Sequence, residues 1–278
     1  MALPVIKHPT FTTELKNIGK IKFRNFINAE HKSLLSAIEL GDSSSIFNTT
    51  LAIVDACTDD SVDASKLTEA ELEFLFLKIY IRSVQNKVEG QYHCYNLVDA
   101  PVEQLSLDED SDAGDIVPVT DSTQDEPEEE VILPQVECGA EFKIVIPIDS
   151  AEISYTKEHE ESTVVKASEE VRIHLRVPSA HEKNELLELK EDDNVDIRVI
   201  FSYFDYAHDL VDDSKTFKAD ITFDEFNDWF GTISPDAVEQ IIVFIENEPQ
   251  LGYDFKITCP KCKNQDVIKF RGMQSFFE

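Results

Sequence analysis

Glycine is scarce in this chain, at 8 of 278 residues. So few glycines exclude a collagen-like or glycine-linker architecture and leave little material for a glycine-rich phosphate cradle. No G-x-x-x-x-G-K-[ST], G-x-G-x-x-G or G-x-S-x-G pattern occurs, which removes the common nucleotide-binding and hydrolase signatures. No apolar run reaches the length of about 18 residues that a membrane-spanning helix needs. The first ten residues (MALPVIKHPT) lack the charged and apolar regions of a signal peptide, so the expectation is a chain that stays in a reducing cytosol. Cysteines are few and odd in number: Cys57, Cys94, Cys138, Cys259 and Cys262. Free thiols are expected rather than a disulfide framework. Positive charge is the last deficit. Lys and Arg number 25 against 56 Asp and Glu, a net charge of −31, and such a field does not hold nucleic-acid phosphates.

What is present is enough to fold. Apolar residues make up 42% of the chain and include 18 Phe, sufficient for a substantial core. Residues 11–16 and 20–26 read as strands flanking an Asn17-Ile18-Gly19 turn. Asn28 is a candidate cap for a helix running to about Leu40, with Leu34, Leu35 and Ile38 on one face and Gly41 as its stop. A second helix is expected over about 44–57, where Ile46, Ile53, Val54 and Cys57 recur at helical spacing. Thr68 and Glu71 form a capping box for a third, Glu69 to Ser83, whose run LEFLFLKIYI should be a packing centre.

Composition then changes. Residues 103–130 contain twelve carboxylates and neither Lys nor Arg, so they read as a disordered acidic insertion; without it the net charge is −19. Residues 88–95 lead into the insertion and 136–148 lead out of it, both strand-like. Pairing them as a hairpin brings Cys94 and Cys138 together. Further strands are expected at 152–155 and 171–177. Helices are expected over about 180–189, 195–206, 223–231 and 235–247, the last with Pro235 behind the cap Ser234. The fold class is therefore α+β. An N-terminal hairpin with helices (1–87) precedes a central antiparallel part carrying the insertion (88–178). A C-terminal helical part (179–278) ends in a C-x-x-C turn.

That turn, Cys259-Pro260-Lys261-Cys262, is the sharpest local motif. It spaces two thiols for one metal and has the shape of half a zinc ribbon. Cys94 and Cys138 are the obvious second pair, with His93 as a substitute, giving a closed four-ligand site for a structural zinc. The plainer alternative is two small buried residues beside an idle C-x-x-C. Redox use is disfavoured because a strand, not a helix, follows the pair. Other candidates are weaker. The seven His are scattered, carboxylates are too abundant to single out a pair, and Lys16, Lys20, Lys22 and Arg24 suit either an interaction face or a protected edge. Nothing in the pattern supports catalysis. Trp229, Phe230, Phe276 and Phe277 are the candidate anchors for a protein partner.

Several segments in order resemble a known family. They are KFRNF (22–26), EHKSLL (30–35), ELGD (39–42), EFLFLKI (73–79), the Cys94 and Cys138-Gly139 strands, FDEF (223–226), C-P-K-C (259–262) and the closing GMQSFF (272–277). Together these are similar to the baseplate hub assembly proteins of T-even-type contractile-tailed bacteriophages. The family carries a compact knuckle where Cys94 and Cys138 here stand 44 positions apart. The resemblance implies a non-enzymatic tail protein, a component or assembly chaperone of the central hub. It implies partners among other tail and hub proteins, including the tape-measure protein, and residence in the host cytoplasm during assembly and in the virion baseplate. Two other classes compete: an acidic DNA mimic that occupies a nucleic-acid-binding protein, and a zinc-ribbon transcription adaptor. Most of the mimic's charge would have to sit on a rigid face, whereas twelve charges fall in one segment. The adaptor lacks a basic face.

Overall fold

The computed structural model describes residues 6–59, 61–99, 135–155, 162–187, 195–273 and 275. The acidic insertion at 103–130, Phe276 and Phe277 lie outside the described residues. The chain is α+β and divides into two compact units that are discontinuous in sequence. One contains Met1–Val88, Ile146–Asp254 and Lys269–Glu278; the other contains Glu89–Val145 and Phe255–Ile268.

In the larger unit, strands β1 (Thr10–Leu15) and β2 (Gly19–Arg24) form the expected hairpin, with Gly19 at φ 85°. Helix α1 (Asn28–Leu40) starts one residue earlier than Asn28 would dictate. Ile27 holds the cap position, its N–H donating to Glu30 at 2.7 Å. The reason is that Glu30 is already fixed, receiving both guanidinium nitrogens of Arg24 at 2.7 and 2.9 Å. Arg24 also donates to the Ala56 carbonyl at 3.0 Å, so one ion pair joins the hairpin to α1 and to helix α2 (Ser43–Cys57). Of the four basic residues on the hairpin, Arg24 is thus structural, while Lys16 sits over the Tyr155 ring at 4.7 Å. Helix α3 (Glu69–Ser83) has the expected reciprocal cap: Thr68 N–H donates to Glu71, and Glu71 N–H to the Thr68 hydroxyl. Leu72, Leu75, Phe76 and Ile79 pack with Leu15, Ile21, Phe23, Ile53 and Val54 in one core. Burying Leu75, Leu77 and Ile79 completely is worth roughly 1.5–3 kcal/mol each.

Four strands then flank the insertion: β3 (Lys87–His93), β4 (Leu97–Asp99), β5 (Gln135–Glu137) and β6 (Glu141–Pro147). β3 pairs with β6 and β4 with β5. β6 alternates as expected, with Ile144 and Ile146 buried and Val145 exposed. After β7 (Glu152–Ser154) come β8 (Ser162–Lys166), β9 (Val171–Arg176), and helices α4 (Ala180–Leu187) and α5 (Val195–Tyr203).

The expected helix over 195–206 is too long. It stops at Tyr203, and Phe204–Asp209 is strand β10, hairpinned to β11 (Ser214–Phe217). Apolar spacing passes from helical to alternating at Phe204 and Tyr206 with no Gly or Pro to mark the change. The hairpin's turn is instead built by Asp212 and Asp213, the latter at φ 59°. The antiparallel sheet runs β11-β10-β9-β8.

Helices α6 (Phe223–Phe230) and α7 (Pro235–Glu246) follow, the latter capped by Ser234 with Pro235 at its start. They pack with the sheet around Phe204, Phe226, Ile241 and Phe244. Strands β12 (Gln250–Thr258) and β13 (Gln265–Arg271) complete a sheet in the order β13-β12-β7.

Within this unit Glu73 sits in a cleft of about 270 Å³ with Glu69, Lys183, Glu248 and Arg271, and accepts the Met273 N–H at 2.8 Å. Burial pushes its carboxyl up to about 7, against the Met273 hydrogen bond and with help from Glu69. An acid whose pKa is raised in the folded state binds an extra proton there. Its contribution to stability is full below its unfolded value near 4.5 and is lost as pH rises through 7. Glu73→Gln is therefore expected to flatten this part of the pH profile. It should melt above the wild type at pH 8, by roughly 3 °C for each kcal/mol recovered, and differ little at pH 4.5. Thermal melts of both proteins at the two pH values check this; equal melting temperatures at pH 8 would contradict it.

Candidate metal centre

Four cysteines meet in the smaller unit. Cys94 follows β3 and Cys138 lies between β5 and β6. Their segments are locked by Cys94 N–H to Ala140 O (2.9 Å), Cys138 N–H to Asn96 O (2.8 Å) and Gly139 N–H to Cys94 O (3.1 Å). Gly139 adopts φ 61° there, a left-handed conformation that glycine reaches without a Cβ penalty. The register is fixed by Leu97 opposite Glu137, so the chain on either side of the insertion returns to the same place. The second pair lies in the turn between β12 and β13. Cys259 N–H donates to Asn264 O at 2.9 Å, and Lys263 N–H returns to Cys259 O at 3.0 Å.

The sulfurs pair across the two turns. Cys94 Sγ is 3.7 Å from Cys262 Sγ and Cys138 Sγ is 3.8 Å from Cys259 Sγ, with all four ligand atoms within 4.8 Å of one another. Zinc–thiolate bonds of about 2.3 Å in a tetrahedron place neighbouring sulfurs about 3.8 Å apart. The two measured edges match that figure. Cys94, Cys138 and Cys259 are buried and Cys262 is half-buried; all are free thiols.

Electrostatics favour a cation at the centre. Burial pushes the Cys259 thiol up, but N–H donors from Cys262 and Lys261 and the neighbouring thiols more than reverse this, bringing it down to about 6. Cys94 moves the other way, to about 12. The Asn96 backbone donor opposes the rise, which comes from burial and from the three neighbouring sulfurs. Burial, with Cys259 and Cys262, likewise raises Cys138. One thiolate forms readily and discourages the rest, which is how like charges behave at a shared site. A divalent cation relieves that repulsion.

Three supporting groups had no signal in the sequence. Lys261 donates to Cys138 O at 2.7 Å, Asn96 points its amide at Cys262 Sγ at 3.8 Å, and Tyr92 hydrogen-bonds Asp266 beside the cluster. A long-range partner leaves no mark on local periodicity, although Lys261 stands inside the C-x-x-C itself. His93 pairs with Glu141 at 3.5 Å and is not among the clustered ligands.

The remaining candidates lie elsewhere. Trp229 and Phe230 are half-buried on the larger unit's aromatic core; Trp229 lies 6.0 Å from both Phe204 and Phe226, and Phe230 5.6 Å from Phe226. Cys57 is buried on α2, its thiol pushed up to about 12 by burial and Glu30. It is a core residue.

No described helix is long and apolar enough to cross a membrane. The family model described as T4 bacteriophage base plate protein matches residues 8–278, nearly the whole chain. No curated protein and no solved structure gives a match.

Proposed function

The chain belongs to the T4 bacteriophage base plate protein family, and on that premise we propose that it is a non-enzymatic part of the central hub, a component or assembly chaperone. It acts by binding other hub proteins, with the tape-measure protein as a further partner, in the host cytoplasm and then at the tail. The observation that carries this reading is the extent of the family match, from residue 8 to 278. The four-cysteine cluster supports it in character. Cys94, Cys138, Cys259 and Cys262 would hold a structural zinc that ties their two turns together, and four thiolates leave no open position for a reacting water. Trp229 and Phe230 keep partial exposure and serve as partner contacts in this reading.

The test is affinity capture of the tagged full chain from cells in which the phage is assembling. Hub proteins are expected as the main co-purifying species, and a phage lacking the chain is expected to make no complete baseplates. Recovery of a polymerase or nuclease in their place, or normal baseplates without the chain, contradicts the reading.

A further inference from the structure

The sheet β11-β10-β9-β8 turns one face to the aromatic core. Val165, Ile173, Leu175 and Phe204 are buried there with α6 and α7. Side chains alternate along a strand, so the residues between them point to the opposite face. The register sets those residues in two rows that cross all four strands. Lys166, Arg172, His208 and Lys215 form the first; Val164, His174, Tyr206 and Phe217 form the second. The second row is a ladder of rings. His174 stacks on Tyr206 at 4.0 Å and Phe217 follows at 5.2 Å. Its two ends are open, Val164 being 53% and Phe217 45% exposed. Neither row contains a carboxylate, in a chain where acids outnumber bases 56 to 25. Nearby acids satisfy only part of the first row. Glu169 pairs with Lys166, and Asp213 with His208 at 2.7 Å. Arg172 donates instead to the carbonyls of Ser168 and Val171, and Lys215 lies over the Tyr206 ring at 5.1 Å. Neither cation has a carboxylate at ion-pair distance among the described residues. His174 registers the resulting field: burial lowers its pKa, and His208 and Lys215 lower it further than Asp205 raises it.

We infer that this sheet face binds an acidic segment of a different baseplate protein, whose carboxylates meet Arg172 and Lys215 while an apolar side chain rests on the ring ladder. Cross-strand pairs also stabilise a sheet, but that gain does not call for two unpaired cations beside open rings. Exposed apolar surface edged by charge marks an interaction site, and the sign of the charge selects the occupant. A row of cations is the exception on a chain of net charge −31, and it complements carboxylates. A nucleic-acid strand would run its phosphates through the repulsive field of the whole chain. A second copy would set one net charge of −31 against another. A short segment brings only a few charges and places them at the cations. The inference rests on the hub reading, which supplies the protein partners.

The experiment places the photo-crosslinking residue p-benzoylphenylalanine at position 217 of the full chain in cells assembling the baseplate, and sequences what it captures. The expected peptide comes from another baseplate protein and carries more Asp and Glu than Lys and Arg. Lys215→Glu, an exposed change expected to leave the melting temperature within about 2 °C, should cut the crosslink roughly fivefold. Lys215→Arg should preserve it, which separates charge from sheet packing. Capture that Lys215→Glu leaves unchanged overturns the docking site. So does capture of a basic segment, of a nucleic-acid strand or of this chain's own sequence. Capture of nothing by a chain that still co-purifies with hub proteins does the same and leaves the hub reading standing. A chain that co-purifies with no baseplate protein overturns both.

Discussion

Stripping metal from the full chain with a strong chelator is expected to unfold the described residues around Cys94, Cys138, Cys259 and Cys262 in the smaller unit while the core around α3 stays folded. The reason is how little else holds the smaller unit. Among the described residues its clustered core is Cys94, Cys138 and Cys259 with half-buried Tyr92, Val98, Ala140, Phe142 and Cys262, and Ile144 and Ile257 are its other buried apolar side chains. So small a core cannot offset the chain entropy of ordering those residues. Structural zinc sites contribute about 10–16 kcal/mol in small peptides, far more than this cluster offers. Hydrogen exchange is the appropriate readout. The amides of Cys94, Cys138, Gly139 and Cys259, which close the two turns, should lose protection. Those of Leu75 and Ile79, fully buried on α3, should keep it. Cys138→Ser should reproduce the pattern without chelator. Unchanged protection after verified metal removal would falsify the structural role.

Phe226→Ala is expected to destabilise the larger unit by about 3–5 kcal/mol. Phe226 is almost fully buried, with ring centroids of Phe201 at 4.8 Å, Phe204 at 5.1 Å and Phe230 at 5.6 Å around it. Truncation removes the centre of that cluster and leaves a cavity that strand β10 on one side and α5 on the other cannot close. Such a loss is a large share of the roughly 5–15 kcal/mol that stabilises a typical domain. Trp229→Ala, on the half-buried side of the same cluster, should cost less. Urea unfolding followed by circular dichroism measures both. A loss below about 1 kcal/mol for Phe226→Ala would mean that the cluster is not the packing centre.

Where the sequence was legible, a local physical device was at work. The capping box at Thr68 and Glu71, the Ser234-Pro235 start and the Gly41 stop each act within a few residues. The helices they bound appear at 69–83, 235–246 and 28–40. The cysteine cluster was legible for a different reason. Pairing the strands that lead into and out of the charged segment brings together Cys94 and Cys138, the only sulfurs near that junction. What stayed hidden depended on distant partners. Ile27 displaced Asn28 as the cap because Arg24 holds Glu30. Strand β10 grew directly out of α5 because β9 offered it a pairing edge, through His174 opposite Tyr206 and Ile173 opposite Ala207.

Native mass spectrometry of the full chain as purified tests the account at its centre, alongside the same chain carrying Cys138→Ser with Cys259→Ser. One zinc per chain in the wild type and none in the double variant is the expected result, with Cys94, Cys138, Cys259 and Cys262 protected from alkylation until chelator is added. A wild-type chain that is metal-free, alkylates freely at those four thiols and still protects the amides around them would contradict it.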